Sequence, residues 1–156
     1  MKKVLSVIIP VYNMEKYIRQ CLESLMIKEV LDKIEILVVL DGSTDRSEEI
    51  AMEYAKAHPY SVRVISKPNG GHGSAINTGM DNAVGEYVKV LDSDDWVNEK
   101  GLKRQKQILC GPIFSGSMNR PEKEVFRTDI LFRGWNMAEN TIFMMLRKKR
   151  LLKCIP

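Results

Sequence analysis

Four short apolar segments set the strongest constraint on how this chain can fold. They are rich in Val and Ile and occupy residues 4–10, 34–40, 62–66 and 86–91. Their apolar residues are mostly continuous rather than alternating, which is typical of strands buried on both faces, as in a parallel sheet. Segments with helical spacing separate them. The order β-α-β-α-β-α-β therefore predicts an α/β fold, with a parallel sheet and right-handed crossover connections.

The three intervening segments each show the pattern of an amphipathic helix. In the first, apolar residues recur with helical spacing between positions 18 and 26, and Asn13 is the expected N-cap. In the second, Asp45 and Glu48 form a pair typical of a capping box. The third is predicted to bury a side formed by Ile76, Met80, Ala83 and Val84.

Composition is that of a soluble globular protein with an uneven distribution of charge. The 156 residues suffice for one domain with a buried core, and a content of 44% hydrophobic and 28% charged residues is ordinary. Residues 1–96 hold 11 Lys and Arg against 15 Asp and Glu, whereas residues 97–156 hold 13 against 5. This contrast, together with the loss of regular patterning after Trp96, predicts two segments, residues 1–98 and 99–156.

Cysteine usage and the N-terminus indicate a cytoplasmic protein. Cys21, Cys110 and Cys154 are widely spaced and offer no metal-binding pair. Two lysines and an apolar run imitate a signal peptide, but the run is short, Pro10 interrupts it, and no small-residue cleavage site follows. No stretch reaches the roughly 18 apolar residues of a membrane span. We expect no nucleic-acid partner.

Residues suited to ligand binding follow each predicted strand. In an open parallel sheet, ligands bind beyond the carboxyl ends of the strands. The four strands run into PVYN (10–13), DGSTD (41–45), KPNGGHG (67–73) and DSDD (92–95). Because these ends meet at one edge of the sheet, the sequence predicts a single site built by all four segments.

The fourth of these segments places three aspartates beside a buried strand. Asp92 and Asp94 form a D-x-D pattern that directs two carboxylates toward a common space. Such hard oxygen donors suit Mg²⁺ or Mn²⁺ bound together with substrate phosphates. The alternative is a helix N-cap with surface acids, since Asp is favoured there. The position at the end of a fourth parallel strand favours the metal.

The other segments leave alternatives open. Asp41 ends a buried run, and its carboxylate could accept a hydrogen bond from a base or a ribose. The glycine-rich segment could bring backbone N–H groups to a phosphate or a sugar, although it is neither G-x-G-x-x-G nor a P-loop. His72 could bond a ligand or simply be solvated. Tyr12 could stack on a base or cover the start of a helix.

Taken together, the four segments resemble a known family. SVIIPVYN-x-E-x-YI, DGSTD, NGG-x-G-x-A-x-NTG and LDSDDW, in this order within about residues 3–98, are similar to motifs of the family 2 glycosyltransferases of the GT-A fold. The resemblance implies a Rossmann-like α/β architecture. It also implies transfer of a sugar from a nucleotide-sugar, usually a UDP-sugar, to a saccharide or lipid-linked acceptor, with inversion and with Mn²⁺ or Mg²⁺ on the diphosphate.

The resemblance also implies roles for individual residues. Asp41 would accept a hydrogen bond from uracil N3–H. Asp92 and Asp94 would be metal ligands, with Asp94 the more direct one, whereas no residue is identified as the catalytic base. The residues expected to contact the nucleotide-sugar are Pro10, Tyr12, Glu15, Asp41, Lys67, Gly71, Asp92 and Ser93.

The chain departs from the family pattern in two ways. Leu40 stands where the family often has an acidic or polar residue. In addition, the part after Trp96 is shorter than the family's acceptor half, so the GT-A fold is expected to be truncated after the D-x-D motif. Residues 1–98 would then be the nucleotide-sugar-binding half, and residues 99–156 a partial acceptor region or a tail.

These departures leave two functions open. One is a metal-dependent, inverting glycosyltransferase, and the other is a catalytically incomplete remnant that binds a nucleotide-sugar. A phosphatase with an aspartate nucleophile is disfavoured, because Val39 occupies the first position of the D-x-D-G-T motif that such enzymes carry.

Residues 139–153 are predicted to form a basic, apolar helix. The sequence ENTIFMMLRKKRLLK joins an apolar block to four consecutive cations. Such a helix could lie on an anionic membrane surface, at the inner face of the membrane. Alternatively, its apolar side could pack on the sheet or on a second subunit, giving a homodimer. The apolar residues form a block rather than a long stripe, which favours packing.

Overall fold

The structure is a computed structural model that describes residues 2–97 and the backbone of residues 134–135, 142–143 and 146–147. In chain order its elements are β1 (Leu5–Val11), α1 (Ile18–Leu25), α2 (Lys28–Leu31), β2 (Ile34–Asp41), α3 (Ser47–Ala57), β3 (Val62–Lys67), α4 (His72–Asn82), β4 (Tyr87–Val90), β5 (Gly134–Trp135), β6 (Ile142–Phe143) and β7 (Leu146–Arg147). Strands and helices alternate from β1 to β4 as predicted, with the short helix α2 as an unpredicted addition.

The four predicted strands form one sheet in the order β3-β2-β1-β4, and every pairing among them is parallel. This confirms the predicted parallel α/β fold. Both central strands, β1 and β2, are buried at every position, which explains their continuous apolar sequences. β3 lies at the edge of the sheet and is only partly buried. The carboxyl ends of all four strands lie along one edge of the sheet.

Helices cover both faces of the sheet. Successive side chains of a strand point to opposite sides, so the buried strands present apolar residues to helices on both faces. On one face, α1 and α3 pack on a cluster that includes Val7 and Ile9 of β1. On the other face, α4 packs on Ile8 together with residues of β2. α4 approaches β1 very closely at Gly79, where an added Cβ would lie 2.4 Å from Ile8 Cγ2. Only glycine allows this approach.

The first helix begins later than predicted. α1 begins at Ile18, with Tyr17 at the N-cap position and no side-chain cap. Asn13, the predicted N-cap, instead has a φ of 53° and accepts a hydrogen bond from the Thr44 N–H at 2.8 Å. The prediction of Asn13 as N-cap was therefore wrong, because its side chain bonds to the loop after β2.

Two further helix predictions are only partly right. Asp45 accepts a hydrogen bond from the N–H of Ser47, the first residue of α3, at 3.0 Å, although Arg46 occupies the N-cap position. Glu48 does not complete a capping box, since its carboxylate accepts from the Ser66 hydroxyl. α4 ends at Asn82, and Val84 lies beyond it with 61% of its surface exposed. The prediction that Val84 lies on the buried side of this helix is wrong.

The predicted helix at residues 139–153 is wrong where the backbone is described. Residues 142–143 and 146–147 are strands β6 and β7, and the other positions of that segment lie outside the described residues. β7 pairs antiparallel with β4, and β6 with β5. Without β7, β4 would be an edge strand with unpaired backbone groups. A continuous block of apolar residues suits a strand that pairs with this edge better than it suits an amphipathic helix.

Within the described residues, no helix is long and apolar enough to cross a bilayer.

A buried carboxylate fixes the amino-terminal end of the sheet. Glu35 of β2 accepts a hydrogen bond from the Ser6 hydroxyl of β1 at 2.6 Å and from Arg63 Nη1 of β3 at 2.8 Å. It also accepts from the Val84 N–H at 2.9 Å, and Ser6 in turn accepts from the Gly85 N–H. One acid thereby joins three strands and the turn that leads into β4.

We expect Glu35→Gln to lower the free energy of unfolding by about 1.5–3 kcal/mol, because hydrogen bonds to a buried charged group contribute about that much. Urea unfolding followed by circular dichroism measures the change. The matched control is Glu53→Gln, which breaks the exposed ion pair of Glu53 with Arg19. Equal losses in the two variants would show that the Glu35 network does not join the strands as described.

Candidate functional site

A cavity of about 390 Å³ opens at the edge formed by the carboxyl ends of the strands. All four segments predicted from the sequence contribute to it. Its lining residues are Pro10, Val11, Tyr12, Met14, Asp41, Asn69, Gly71, His72, Ala75, Asp92, Ser93 and Asp94. The lining includes all of the predicted nucleotide-sugar and metal residues except Glu15 and Lys67.

Asp41 is the most buried acid at the cavity, with 4% of its side chain exposed. Its Oδ1 accepts hydrogen bonds from Lys67 Nζ and, at 2.9 Å, from the Gly70 N–H, while Oδ2 accepts from the Gly71 N–H at 2.7 Å. Burial raises the pKa of Asp41, but these donors and the charge of Lys67 outweigh it and leave the pKa below its ordinary value. The carboxylate is therefore ionised at neutral pH.

Asp41 retains room for one further hydrogen bond. A carboxylate offers about four lone-pair positions, two on each oxygen. Oδ1 receives two donors and Oδ2 receives one. The remaining position is on Oδ2, and Asp41 lines the cavity. A ligand that presents one N–H or O–H group could complete this set.

The loops after β1 and β2 are held together by their own polar groups. The Asn13 N–H donates to Ser43 Oγ at 3.2 Å, and Asn13 Oδ1 accepts from the Thr44 N–H. Asn13 adopts its positive φ in this contact, a conformation that Asn tolerates better than most residues. The two loops are thus fixed to each other without a ligand.

Glu15 and Asp45 make a second, reciprocal connection between the same loops. The Glu15 N–H donates to Asp45 Oδ2 at 2.9 Å, and Glu15 Oε2 accepts from the Arg46 N–H at 3.1 Å. Burial raises the pKa of Asp45, but hydrogen bonds from Ser47 and from the Glu15 N–H outweigh it and leave the pKa below its ordinary value. Glu15 is not among the residues that line the cavity, and its hydrogen bonds support the loop that carries Tyr12.

The glycine-rich segment before α4 is brought close to the loop after β2. Gly42 has a φ of 73°, and a Cβ there would lie 2.8 Å from the backbone nitrogen of Asn69. Both the turn and the close approach therefore require glycine at this position. This contact and the amide bonds to Asp41 fix the start of α4 against the end of β2.

The D-x-D segment is held through its backbone, which leaves its carboxylates exposed. The Asp92 carbonyl accepts from the Asp95 N–H at 3.0 Å, and the Val97 N–H donates to Ser24 Oγ of α1 at 3.0 Å. The Asp92 side chain is 55% exposed, and its Oδ1 lies 3.7 Å from His72 Nε2. Asp94 is also exposed. These carboxylates therefore remain accessible from the cavity.

Lys89 is a cationic residue near this segment that sequence reasoning missed. It lies on β4 and is buried. Burial lowers the pKa of Lys89 to about 7, although the charge of Asp95 opposes this shift. The amine therefore carries only part of a charge at neutral pH. Its position in an otherwise apolar strand, three residues before the D-x-D motif, was the available signal.

The two carboxylates of the D-x-D motif fit a hard divalent cation only together with ligands from elsewhere. No group of three or more His, Cys, Asp or Glu among the described residues could hold a metal ion. Mg²⁺ and, with similar ligands, Mn²⁺ are commonly bound through one or two carboxylates, with phosphate and water oxygens completing the shell. Asp92 and Asp94 are of the right type and number for that arrangement.

Three cavity residues could not be identified from their sequence pattern. Met14 and Ala75 are apolar, and Asn69 belongs to a turn-forming segment, so none carries a chemical signal of its own. Met14 lines the cavity because it directly follows Asn13 in the turn after β1. Ala75 reaches the cavity from the first turn of α4.

The fold and the cavity define an α/β protein with a cavity at the carboxyl ends of its parallel strands. The chain belongs to glycosyl transferase family 2, and the match to this family covers residues 6–155. It is 45% identical over 119 residues to the glycosyltransferase GlyA of Streptococcus pneumoniae, an alignment that covers 71% of this chain and 17% of GlyA. The chain spans less than a third of the length of the first curated relatives it matches.

Solved structures share the same GT-A fold. Staphylococcus aureus TarS 1–349 in complex with UDP-GlcNAc matches with a TM-score of 0.63 and 26% identity, covering 93% of this chain and 45% of TarS 1–349. Glucosyl-3-phosphoglycerate synthase of Mycobacterium tuberculosis, in complex with Mn²⁺, UDP and phosphoglyceric acid, matches with a TM-score of 0.52 and 25% identity. That match covers 74% of this chain and 40% of the synthase.

We expect acidic pH to weaken the contact between the loop after β1 and the loop after β2. An unfolded Asp has a pKa of about 3.9, and the folded values for Asp41 and Asp45 are lower. Their stabilisation is therefore fully present above about pH 4 and is lost as the pH falls through the folded values. Asp45→Asn should be less stable than the wild type at pH 6 but lose less stability on further acidification.

Urea unfolding at pH 6, 4, 3 and 2.5 measures this difference. Asp81→Asn, which changes an exposed acid of α4, is the matched control and should keep the acid dependence of the wild type. An identical acid dependence in wild type and Asp45→Asn would contradict the assigned role of Asp45.

Proposed function

We propose that the chain is the nucleotide-sugar-binding part of a metal-dependent, inverting glycosyltransferase that uses a UDP-sugar. The observation that carries this proposal is the arrangement of the cavity. A buried, ionised acceptor, Asp41, lines it together with the exposed pair Asp92 and Asp94. One carboxylate suits a nucleobase, and the exposed pair suits a diphosphate with its cation. The acceptor would be a saccharide or a lipid-linked saccharide.

Uracil recognition follows from the hydrogen-bonding state of Asp41. The carboxylate has one lone-pair position left, and uracil presents one N–H group, at N3. Tyr12 lines the same cavity and is half-exposed, so its ring is accessible for stacking on the base. TarS and glucosyl-3-phosphoglycerate synthase, which share the fold, bind uridine nucleotides in their solved complexes. We propose the same class of donor here.

Asp92 and Asp94 would hold Mn²⁺ or Mg²⁺ together with the donor diphosphate. When bound, such a cation acts as a Lewis acid that neutralises charge on the departing diphosphate. The chain's own contribution is to hold both carboxylates at the cavity by backbone contacts to α1, through the Asp92 carbonyl and the Val97 N–H. The start of α4 at Gly71 and His72 faces the same space and would border the phosphates.

A catalytically incomplete remnant is less well supported than an active transferase. The match to glycosyl transferase family 2 extends to residue 155, well beyond the D-x-D motif. GlyA, a relative at 45% identity, is a glycosyltransferase by name. Residues 99–156 are therefore proposed to contribute to the acceptor side. Release of UDP that depends on an acceptor distinguishes the two possibilities, because a remnant would bind the donor without turnover.

We expect Asp94→Ala to weaken Mn²⁺-dependent binding of UDP more than about tenfold, because losing even a supporting group around a metal typically costs that much. Calorimetric titration of the full chain with UDP, with and without Mn²⁺, measures the effect. Asp81→Ala removes an exposed acid of α4 and is the matched control. Unchanged Mn²⁺-dependent affinity in Asp94→Ala would rule out Asp94 as a metal ligand.

We expect methylation of uracil at N3 to weaken binding of UDP about ten- to a hundredfold, because it removes a hydrogen bond to a charged acceptor. The ligand is changed rather than the protein, so folding is unaffected. UDP methylated at C5 carries the same added bulk at another ring position and is the matched control. If the two methylated nucleotides bind equally well, Asp41 does not recognise N3.

A further inference from the structure

Lys67 is bonded to Asp41 but does not itself line the cavity. It is the last residue of β3 and lies opposite Asp41 in the parallel pairing of β2 and β3. Its Nζ donates to Asp41 Oδ1 and, at 2.7 Å, to the Pro68 carbonyl. The side chain is 18% exposed. These contacts hold its charge against Asp41 Oδ1, and Lys67 is not among the residues that line the cavity.

The contact with Lys67 determines which oxygen of Asp41 remains available. Lys67 and the Gly70 N–H together fill Oδ1, so the unused lone-pair position is on Oδ2. Gly70 lies directly over the amine, since a Cβ there would come within 2.9 Å of Lys67 Nζ. The glycine-rich segment, the amine and the carboxylate therefore form one fixed unit.

Lys67 also contributes to lowering the pKa of Asp41, together with the Gly70 and Gly71 N–H groups. The other ionisable groups at the cavity are Asp92 and Asp94, after β4, His72 of α4 and Tyr12 of the loop after β1. Within residues 2–97, Lys67 is the cation that hydrogen-bonds to Asp41. Without it, burial would raise the pKa of Asp41 against only the two amide donors. A protonated carboxyl group donates a hydrogen bond, whereas an ionised one only accepts.

We propose that Lys67 is a specificity-determining positioning residue: without touching the ligand, it fixes Asp41 as a pure acceptor and so selects a nucleobase that is protonated at ring nitrogen N3. This inference rests on the proposed function of the cavity. Uracil presents N3–H at the position concerned, whereas cytosine presents an unprotonated N3, which an ionised carboxylate repels. Lys67 therefore sets the preference for uridine over cytidine nucleotides.

The test compares Lys67→Met with Lys67→Arg in the full chain. Binding of UDP and of CDP is measured by calorimetry with Mn²⁺ between pH 8 and pH 5.5. The wild type should bind UDP at least tenfold more tightly than CDP throughout this range. Lys67→Met should lose most of this preference, and the loss should grow as the pH falls, because protonated Asp41 can donate to cytosine N3. Lys67→Arg keeps the cation and should retain the preference.

Control variants separate specificity from folding. Lys56→Met removes an exposed lysine of α3 and should leave the ratio of the two affinities unchanged. Unfolding curves establish that each variant is folded, and Lys67→Gln, which keeps a donor of similar length, replaces Lys67→Met if the latter is not. A fall in affinity for both nucleotides without a change in their ratio, at any pH, would mean that Lys67 is only structural.

The outcome also distinguishes this inference from the function on which it rests. If the wild type binds neither UDP nor CDP, the proposed function fails. If the wild type prefers UDP and Lys67→Met keeps that preference at every pH, the proposed function stands and the role of Lys67 is overturned. A preference that disappears in Lys67→Met and persists in Lys67→Arg supports both.

Discussion

The parallel pairing of β1 with β2 is the constraint on which the rest of the structure depends. Its register places Val11 beside Leu40 and so brings the two following loops into contact. Backbone pairing alone would leave these loops free, but Asn13 and Glu15 bond to the loop after β2 in both directions. The same sheet edge then receives the glycine-rich segment and the D-x-D segment. The cavity is thus a consequence of strand order and direction.

The acids at the cavity and in the loop after β2 divide into two groups according to how their charge is compensated. Asp41 and Asp45 are satisfied by the chain itself, through Lys67 and backbone N–H groups. Asp92 and Asp94 are exposed, and His72 Nε2 lies 3.7 Å from Asp92 Oδ1. Internal compensation produces rigidity, because a buried charge loses its partners if it moves. Exposed carboxylates leave their charge for a bound cation to compensate.

The sequence predicted the parallel sheet and the segments that meet at its edge, because apolar runs and strand-end motifs are local signals. It could not predict which of those motif residues face the cavity. Glu15 and Asp41 are both acids of strand-end motifs, yet Glu15 bonds to the Arg46 N–H and is absent from the cavity lining, whereas Asp41 lines the cavity. Asn13 failed as a predicted N-cap for the same reason: its partner, Thr44, is distant in sequence. Likewise, β7 forms by pairing with the edge of β4, and the sequence of residues 139–153 alone carries no information about that edge.

The antiparallel pairing of β7 with β4 has a consequence for the order of folding. Strands β1 to β4 are joined by short crossovers, so their sheet can form from contacts between neighbours in the sequence. β7 comes from a segment much later in the chain, and its pairing closes a far longer loop. During synthesis, the sheet would emerge first with the backbone of β4 unpaired. Until β7 arrives, that edge is a template on which another nascent copy could pair, so β7 also protects the chain from aggregation.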